Sequence, residues 1–437
     1  MALSKEPYRG TRDFFPVDKR IRDYLFSVME KTALSFGYES YDGPILEEVE
    51  LYKAKSGEEL INDQIYSFVD RGERFVAIRP EMTPTLARMV AKVHREIQKP
   101  IRWFSIPNLM RYEKPQRGRV REHWQLNVDI FGASPSHSAL EILQVVITLF
   151  KNFGANESHF EILINDRNIV DAVFNQLLQT SAEQNYRLYK IIDKSKKLTP
   201  EALEKLINEV QLSEQAKILF KEYLNMSSFD EVQTFLKTHR LESSLQEFST
   251  FLELAKSCHI TPFLKYDPTI VRGLDYYTGV VFEVFDKHPD NRRALSGGGA
   301  YAHLLKIFNE ESVPGVGFGL GDVTLRDFLE THKLLPNFDV ASNDIALVMN
   351  DPNSFVALNQ LASSLRSNGF KVIQTLDCLN FKKMFPFAEK KGALFIGFMG
   401  GDEVNQQTIQ IKNLGTKEQT SFQLNDLEKI VNHLKNK

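Results

Sequence analysis

Residues 102–132 read RWFSIPNLMRYEKPQRGRVREHWQLNVDIFG. Two apolar, strand-like stretches flank a loop that carries Arg111, Lys114, Arg117, Arg119 and Arg121 against one acid, Glu113. Guanidinium forks suit phosphate because they give bidentate, charge-assisted hydrogen bonds. A charge run is also commonly no more than a solvated loop. Beyond the loop, Gln125, Asn127 and Asp129 alternate with Leu126, Val128 and Ile130. A strand there turns one polar and one apolar face. A polar row inside a large fold needs partners, and a ligand is one way to supply them. If strand geometry reaches into the loop, Arg111 and Glu113 share a face as well.

Working outward, residues 17–36 carry apolar side chains at helical spacing and stop at Gly37. Strands are predicted within 66–79 around the turn Asp70-Arg71-Gly72-Glu73. Thr83 is expected to cap a helix that runs to about Val93, with Pro84 first inside it. A second helix is expected over 138–153. From 166 to 257 the pattern is helical throughout and holds one proline, Pro200, which reads as an inserted helical domain. Strand signals return at 268–286, followed by Ser296-Gly297-Gly298-Gly299 and by PGVGFGLGD at 314–322, which leads into a helix.

After a loop the pattern changes to short strands alternating with helices: DIALVM, a helix over 354–368, FKVIQT, a helix over 380–391, ALFIGF, TIQIK and a helix over 424–435. That order predicts a small α/β domain on a largely parallel sheet. The expected organisation is a core over 1–331 interrupted by the 166–257 insertion, a linker over 332–342, and a C-terminal domain over 343–437.

At 437 residues the chain exceeds what one hydrophobic core usually supports. Its hydrophobic share of 42% and charged share of 25% are those of an ordinary globular protein. A formal net charge of -3 excludes sequence-blind coating of nucleic acid, which needs a broad basic surface, but leaves room for local basic patches. No apolar run approaches the roughly 18 residues of a membrane helix, and the N-terminus lacks a signal-peptide pattern. The expectation is a cytoplasmic protein with no membrane partner. Cys258 and Cys378 stand far apart with no CxxC, so a disulfide framework and a cysteine-rich metal site are both unsupported, and both thiols are expected to be buried and inert. The ten histidines show no HExxH-type spacing, so no protein metal site is expected.

Three further stretches carry candidate chemistry. VRGLDYYTGVVFEV at 271–284 places Arg272 just ahead of Tyr276 and Tyr277. IRPEMTPTLARMV at 78–90 places Glu81, Met82 and Thr83 at a helix start, where an acid is also favourable for the helix itself. Glycines recur at Gly297, Gly298, Gly299, Gly317, Gly319 and Gly321, which suits either a bulge or close approach of a ligand.

The 102–132 stretch resembles the second signature of class II aminoacyl-tRNA synthetases, and Arg-Gly-Leu-Asp-Tyr-Tyr-Thr-Gly at 272–279 resembles the hallmark of the histidyl branch almost letter for letter. The resemblance covers nearly the whole chain. It implies an α+β catalytic core with a mainly antiparallel sheet flanked by helices, a helical insertion as a candidate clamp for the acceptor arm, and an α/β anticodon-binding domain with Lys382, Lys383, Lys390 and Lys391 as candidates to touch RNA. It further implies a homodimer that uses ATP and Mg2+ to activate L-histidine and load it onto histidine tRNA. Residue by residue, it places Glu81 and Thr83 at the substrate ammonium, Asp129, Tyr276 and Tyr277 around the imidazole, and Met82 and Gln125 among the histidine-binding residues. Arg272 would bridge the histidine carboxylate and the α-phosphate, aided by Arg111, and Arg111, Glu113 and Arg119 would hold ATP. Gly297, Gly298, Gly299, Gly319 and Gly321 would lie along the substrates. One departure stands out. Aligning the third signature on Gly317–Gly321 puts Thr324 where that signature has an ATP-gripping arginine, and Arg326 lies about 200° further round a helix. The rival reading is the non-catalytic regulatory subunit of ATP phosphoribosyltransferase, which shares the core.

Overall fold

The computed structural model describes residues 3–54, 60–196, 198–272, 276–338 and 343–435. Gly273, Leu274 and Asp275 of the hallmark octapeptide, and residues 339–342 of the expected linker, lie outside the described residues. The chain divides into two compact units, Met1–Phe15 with Ile21–Leu335 and Pro16–Arg20 with Pro336–Lys437.

The first unit is built on a nine-stranded sheet. Its order runs Glu39–Ser40, Ile101–Ser105, Glu122–Phe131, Gly315–Gly321, Ala294–Tyr301, Val280–Asp286, Phe160–Asp166, Leu264–Tyr266, with the short Asn108–Met110 strand also paired to Glu122–Phe131. Neighbours are antiparallel except at the two outer pairings. The register settles which side chains share a face. Gln125 pairs with Gly321, Asn127 with Gly319 and Asp129 with Gly317. Gly319 in turn pairs with Gly297, and Gly297 with Glu283. All of these point to one side. Leu126, Val128, Ile130, Phe282, Val284, Val316, Phe318 and Leu320 point to the other, where they join the main hydrophobic core with the helix Pro135–Asn152 and the helix Asp322–Thr331. The polar alternation of 125–129 is therefore the alternation of a sheet with one face packed and one open.

The helices between Arg167 and Ser257 share that same core, through Phe174, Phe220, Phe248 and Phe251, so the helical segment is packed into the unit rather than set apart from it. A separate three-stranded sheet joins Leu46–Glu48, Phe75–Ile78 and Tyr66–Val69. Its Asp70–Glu73 turn closes on the Asp70 carboxylate, which accepts from the Gly72 and Arg74 amides at 2.8 and 3.0 Å.

Several local expectations are corrected. The helix at Thr83–Val93 begins at Thr83 itself with Met82 as the cap residue, and Thr83 makes no side-chain cap there. The second helix starts at Pro135, three residues early, because a proline preorganises a first turn. The strand expected at 268–286 is confined to Val280–Asp286. Upstream of it, carbonyls that a strand would pair are taken by side chains: Asn165 Nδ2 donates to Pro268 O and Ile270 O, and Arg167 Nη1 donates to Val271 O at 2.9 Å. Arg111 and Glu113 lie past the strand Asn108–Met110, in the loop. Both cysteines are exposed.

The second unit holds a five-stranded sheet in the order Val372–Gln374, Asn343–Met349, Ala393–Met399, Thr408–Asn413, Gln419–Gln423. The first three strands are parallel and the last two antiparallel, so the sheet is mixed rather than largely parallel. Helices Phe355–Ser367, Phe381–Lys390, Gly401–Gln406 and Leu427–Lys435 accompany it, with Lys382, Lys383, Lys390 and Lys391 exposed.

Candidate active site

The open face of the large sheet is the floor of a cleft with a volume of about 1270 Å³. Its floor is glycine because side chains lie flat across it. A Cβ on Gly297 would fall 2.4 Å from Arg272 Nη1, one on Gly317 would fall 2.0 Å from Asp129 Oδ1, and one on Gly319 would fall 2.8 Å from the Gln125 amide carbon. Tyr277 covers Gly299 in the same way at 2.8 Å. The glycines thus make room for other residues of the site, which a bulge would not require. Gly298 differs: its Cβ would strike Gly317 O at 2.2 Å and Phe318, so it belongs to the packed side of the sheet.

Arg272 reaches the floor from a backbone with φ of 59°, a left-handed pose unusual for a residue with a side chain. Its guanidinium is hydrogen-bonded to Glu283. Burial works to lower its pKa, but Tyr277 and Glu283 beside it hold it up, so the charge is permanent. Tyr276 and Tyr277 stack tilted at 4.8 Å and are buried, and burial pushes both hydroxyls up, so both stay protonated donors. Tyr276 also senses Thr83 and Glu81, which brings the 81–83 segment to the same end of the cleft.

Asp129 stands on this floor. It is buried, accepts a hydrogen bond from the Tyr301 hydroxyl, and is pushed up to about 7 by burial, which the Tyr301 bond partly offsets. From the basic loop, Arg111 donates Nε to Pro80 O at 2.8 Å and Arg119 pairs with the buried Glu113 at 2.5 Å, and all three line the cleft. Arg121 instead turns inward, donating to Tyr8 and lying 4.0 Å over the Tyr112 ring. Arg117 bonds Asn291 at 3.1 Å and Lys114 is exposed. The loop's charge is therefore divided between support and cleft.

A family model for histidyl-tRNA synthetase matches residues 10–323, and one for an anticodon binding domain matches residues 345–434. The histidine–tRNA ligase of Leptospira biflexa serovar Patoc is 42% identical over 436 residues, spanning 99% of this chain and 98% of that protein. The chain belongs to the histidyl-tRNA synthetase family. Among solved structures, the histidyl-tRNA synthetase of Nostoc sp. PCC 7120 superposes with a TM-score of 0.78 at 22% identity, over 99% of this chain and 100% of that one. A Bacillus halodurans structure described as an ATP phosphoribosyltransferase regulatory subunit/histidyl-tRNA synthetase gives 0.74 at 21%, over 92% and 100%. At these identities the two structures speak for the fold.

Of the candidate residues expected from the sequence, the cleft is lined by Glu81, Thr83, Arg111, Glu113, Arg119, Gln125, Asp129, Arg272, Tyr276, Tyr277, Gly297, Gly319 and Gly321. Met82 is wholly buried and does not line it, and Gly298 faces away. Sequence reasoning passed over Tyr301, Glu283 and Arg293, which also line it. Tyr301 reaches Asp129 over the glycine strand Gly315–Gly321 that separates their strands, and Glu283 meets an Arg272 that lies outside any strand, so neither contact leaves a spacing signal in one chain. Among the described residues no group of three or more His, Cys, Asp or Glu is arranged to hold a metal ion, and no helix is long and apolar enough to cross a membrane.

Proposed function

We propose that the chain is a histidine–tRNA ligase whose cleft activates L-histidine with ATP and then passes it to the 3′ end of histidine tRNA. The observation that carries this reading is the Asp129–Tyr301 pair set opposite a permanently charged Arg272 on one glycine floor. Neutral imidazole offers one N–H donor and one acceptor nitrogen. In this reading Asp129 accepts from the N–H, and a tyrosine hydroxyl from Tyr276 or Tyr277 donates to the other nitrogen. Glu81 and Thr83 supply acceptors for the ammonium. Buried hydrogen-bonding groups reject analogues that would leave them unpaired.

The chemistry is two displacements. An oxygen of the histidine carboxylate forms a bond to the α-phosphorus as the bond to the pyrophosphate oxygen breaks, giving histidyl-adenylate. The terminal ribose hydroxyl of the tRNA then bonds to the carbonyl carbon as AMP leaves and the hydroxyl proton is lost. Arg272 and Arg111 put fixed positive charge where negative charge develops. No covalent protein intermediate is required. Mg2+ bound with ATP would neutralise the triphosphate, and such an ion needs one or two carboxylates beside the phosphates; Glu161 on the cleft wall would be the acid to hold it, since Glu283 is paired with Arg272.

The second unit is the anticodon-binding part, with Lys382, Lys383, Lys390 and Lys391 available to phosphates. The helical segment at 167–257 serves the acceptor arm, and two copies assemble as a homodimer. Leu46, Phe68, Val69 and Phe75, exposed on or beside the small sheet, support an interface there. Full-length likeness to a ligase favours catalysis over the regulatory-subunit role. ATP–pyrophosphate exchange with each amino acid in turn tests the reading. Exchange that depends on histidine alone is the expected result, and its absence in folded protein that still binds histidine would favour the regulatory role.

A further inference from the structure

The third class II signature places an arginine where this chain has Thr324. Thr324 is anchored instead: its hydroxyl donates to Leu295 O at 3.2 Å and also lies within bonding distance of Gly321 O. Arg326 does not fill the gap, since its Nε is paired with Glu330 at 2.7 Å on the helix surface. Two residues before the carbonyl that Thr324 binds stands Arg293, immediately ahead of the strand Ala294–Tyr301. Its Cδ lies 3.0 Å, and Thr324 Cγ2 3.5 Å, from the point where a Gly118 side chain would begin. Arg293 thus occupies the space beside Thr324, under the tip of the basic loop, where Gly118 turns with φ of 72°.

Arg293 is half-buried and lines the cleft together with Arg119. Arg119 is held by Glu113 and Arg272 by Glu283, but Arg293 has no hydrogen bond or ion pair among the described residues. Burial and the neighbouring Arg119 both disfavour its charge, and Glu113 only partly offsets them. Two guanidiniums turned into one cleft and sharing a single carboxylate, Glu113, which is bonded to only one of them, suit a polyanion between them. A neutral base stacked on one of them would leave their mutual repulsion in place.

We propose that Arg293 replaces the missing signature arginine and grips the β- and γ-phosphates of ATP. This assignment rests on the reading that ATP binds in the cleft. The small Thr324 leaves the room, and its bond to Leu295 fixes the start of the strand from which Arg293 reaches across. The cation is supplied from the sheet instead of from the following helix.

Isothermal calorimetry with ATP and AMP, on the full chain, tests this. Arg293→Ala is expected to weaken ATP at least tenfold and AMP less than twofold, because AMP lacks the two phosphates concerned. Arg293→Lys is expected to fall between, since a point charge keeps attraction and loses the fork. In exchange kinetics the KM for ATP rises while that for histidine stays within threefold. Equal weakening of ATP and AMP, or none, would overturn the assignment. Wild-type exchange judges the ligase reading separately: loss of histidine-dependent exchange with the ATP-over-AMP effect intact would count against that reading alone.

Discussion

The Tyr301 hydroxyl donates to the Asp129 carboxylate across the floor of the cleft, and this bond works against the burial that pushes Asp129 up to about 7. If ionised Asp129 accepts the imidazole N–H, its titration limits activity on the acid side. Tyr301→Phe removes the group that favours the ionised form, so the acidic limb of kcat/KM for histidine moves to higher pH. Free histidine titrates identically with both enzymes, so the difference between them isolates Asp129. An unmoved limb would separate Tyr301 from the reaction.

The same acid makes the empty protein's stability depend on pH in a specific direction. Its folded pKa lies above the unfolded value of 3.8, so the folded chain holds the proton longer. Its contribution is complete below 3.8 and is lost as pH rises through about 7. At roughly 1.4 kcal/mol per pH unit the full effect is on the order of 4 kcal/mol. Asp129→Asn carries no such penalty. Urea unfolding of both proteins from pH 4 to 8.5 is expected to show the variant gaining on wild type up to about pH 7 and by no more beyond it. A gap independent of pH would mean that Asp129 titrates normally.

Adjacent glycines are expected to separate activity from stability. A Cβ at Gly297 meets the far end of Arg272, which can swing aside, whereas one at Gly298 meets the Gly317 carbonyl at 2.2 Å, which cannot. Gly297→Ala should lose less stability than Gly298→Ala, limited to what disturbing the Arg272–Glu283 pair costs, and lose exchange at least tenfold. Gly298→Ala should lose about 1–3 kcal/mol or more to overpacking. The reverse pattern would place the wrong glycine on the floor.

Much of this site was legible in the chain because it rests on local alternation and on a contiguous octapeptide. The 125–129 row told which strand face is polar, and Arg272, Tyr276 and Tyr277 came as neighbours. What was not legible comes from distant segments. Arg293 reads as one more charge in DKHPDNRR, and only the fold sets it beside Thr324. TIVRG at 269–273 looks like strand from its β-branched residues, yet side chains of Asn165 and Arg167 take its carbonyls and Arg272 turns left-handed. Thr83 has the right chemistry for a cap, but the helix already includes it. The exposed cysteines show the limit of a burial preference applied to single residues.

Arg272 and Glu283 allow the holding of a charge to be separated from its use. Arg272→Ala strands Glu283, a mostly buried carboxylate, so it should cost about 1–3 kcal/mol of stability as well as activity. Adding Glu283→Gln removes the stranded charge and should return most of the stability. Exchange should stay down by roughly 10²–10³-fold in both, the scale expected when one preorganised charge or donor is lost from a transition state. Arg272→Lys retains a cation for Glu283 and should remain stable, yet it lacks the planar fork needed to bridge carboxylate and phosphate, so its exchange should fall as well. Melting temperature and pyrophosphate exchange measured on the four proteins give the answer. Recovery of exchange in the double variant would show that Arg272 serves only to neutralise Glu283.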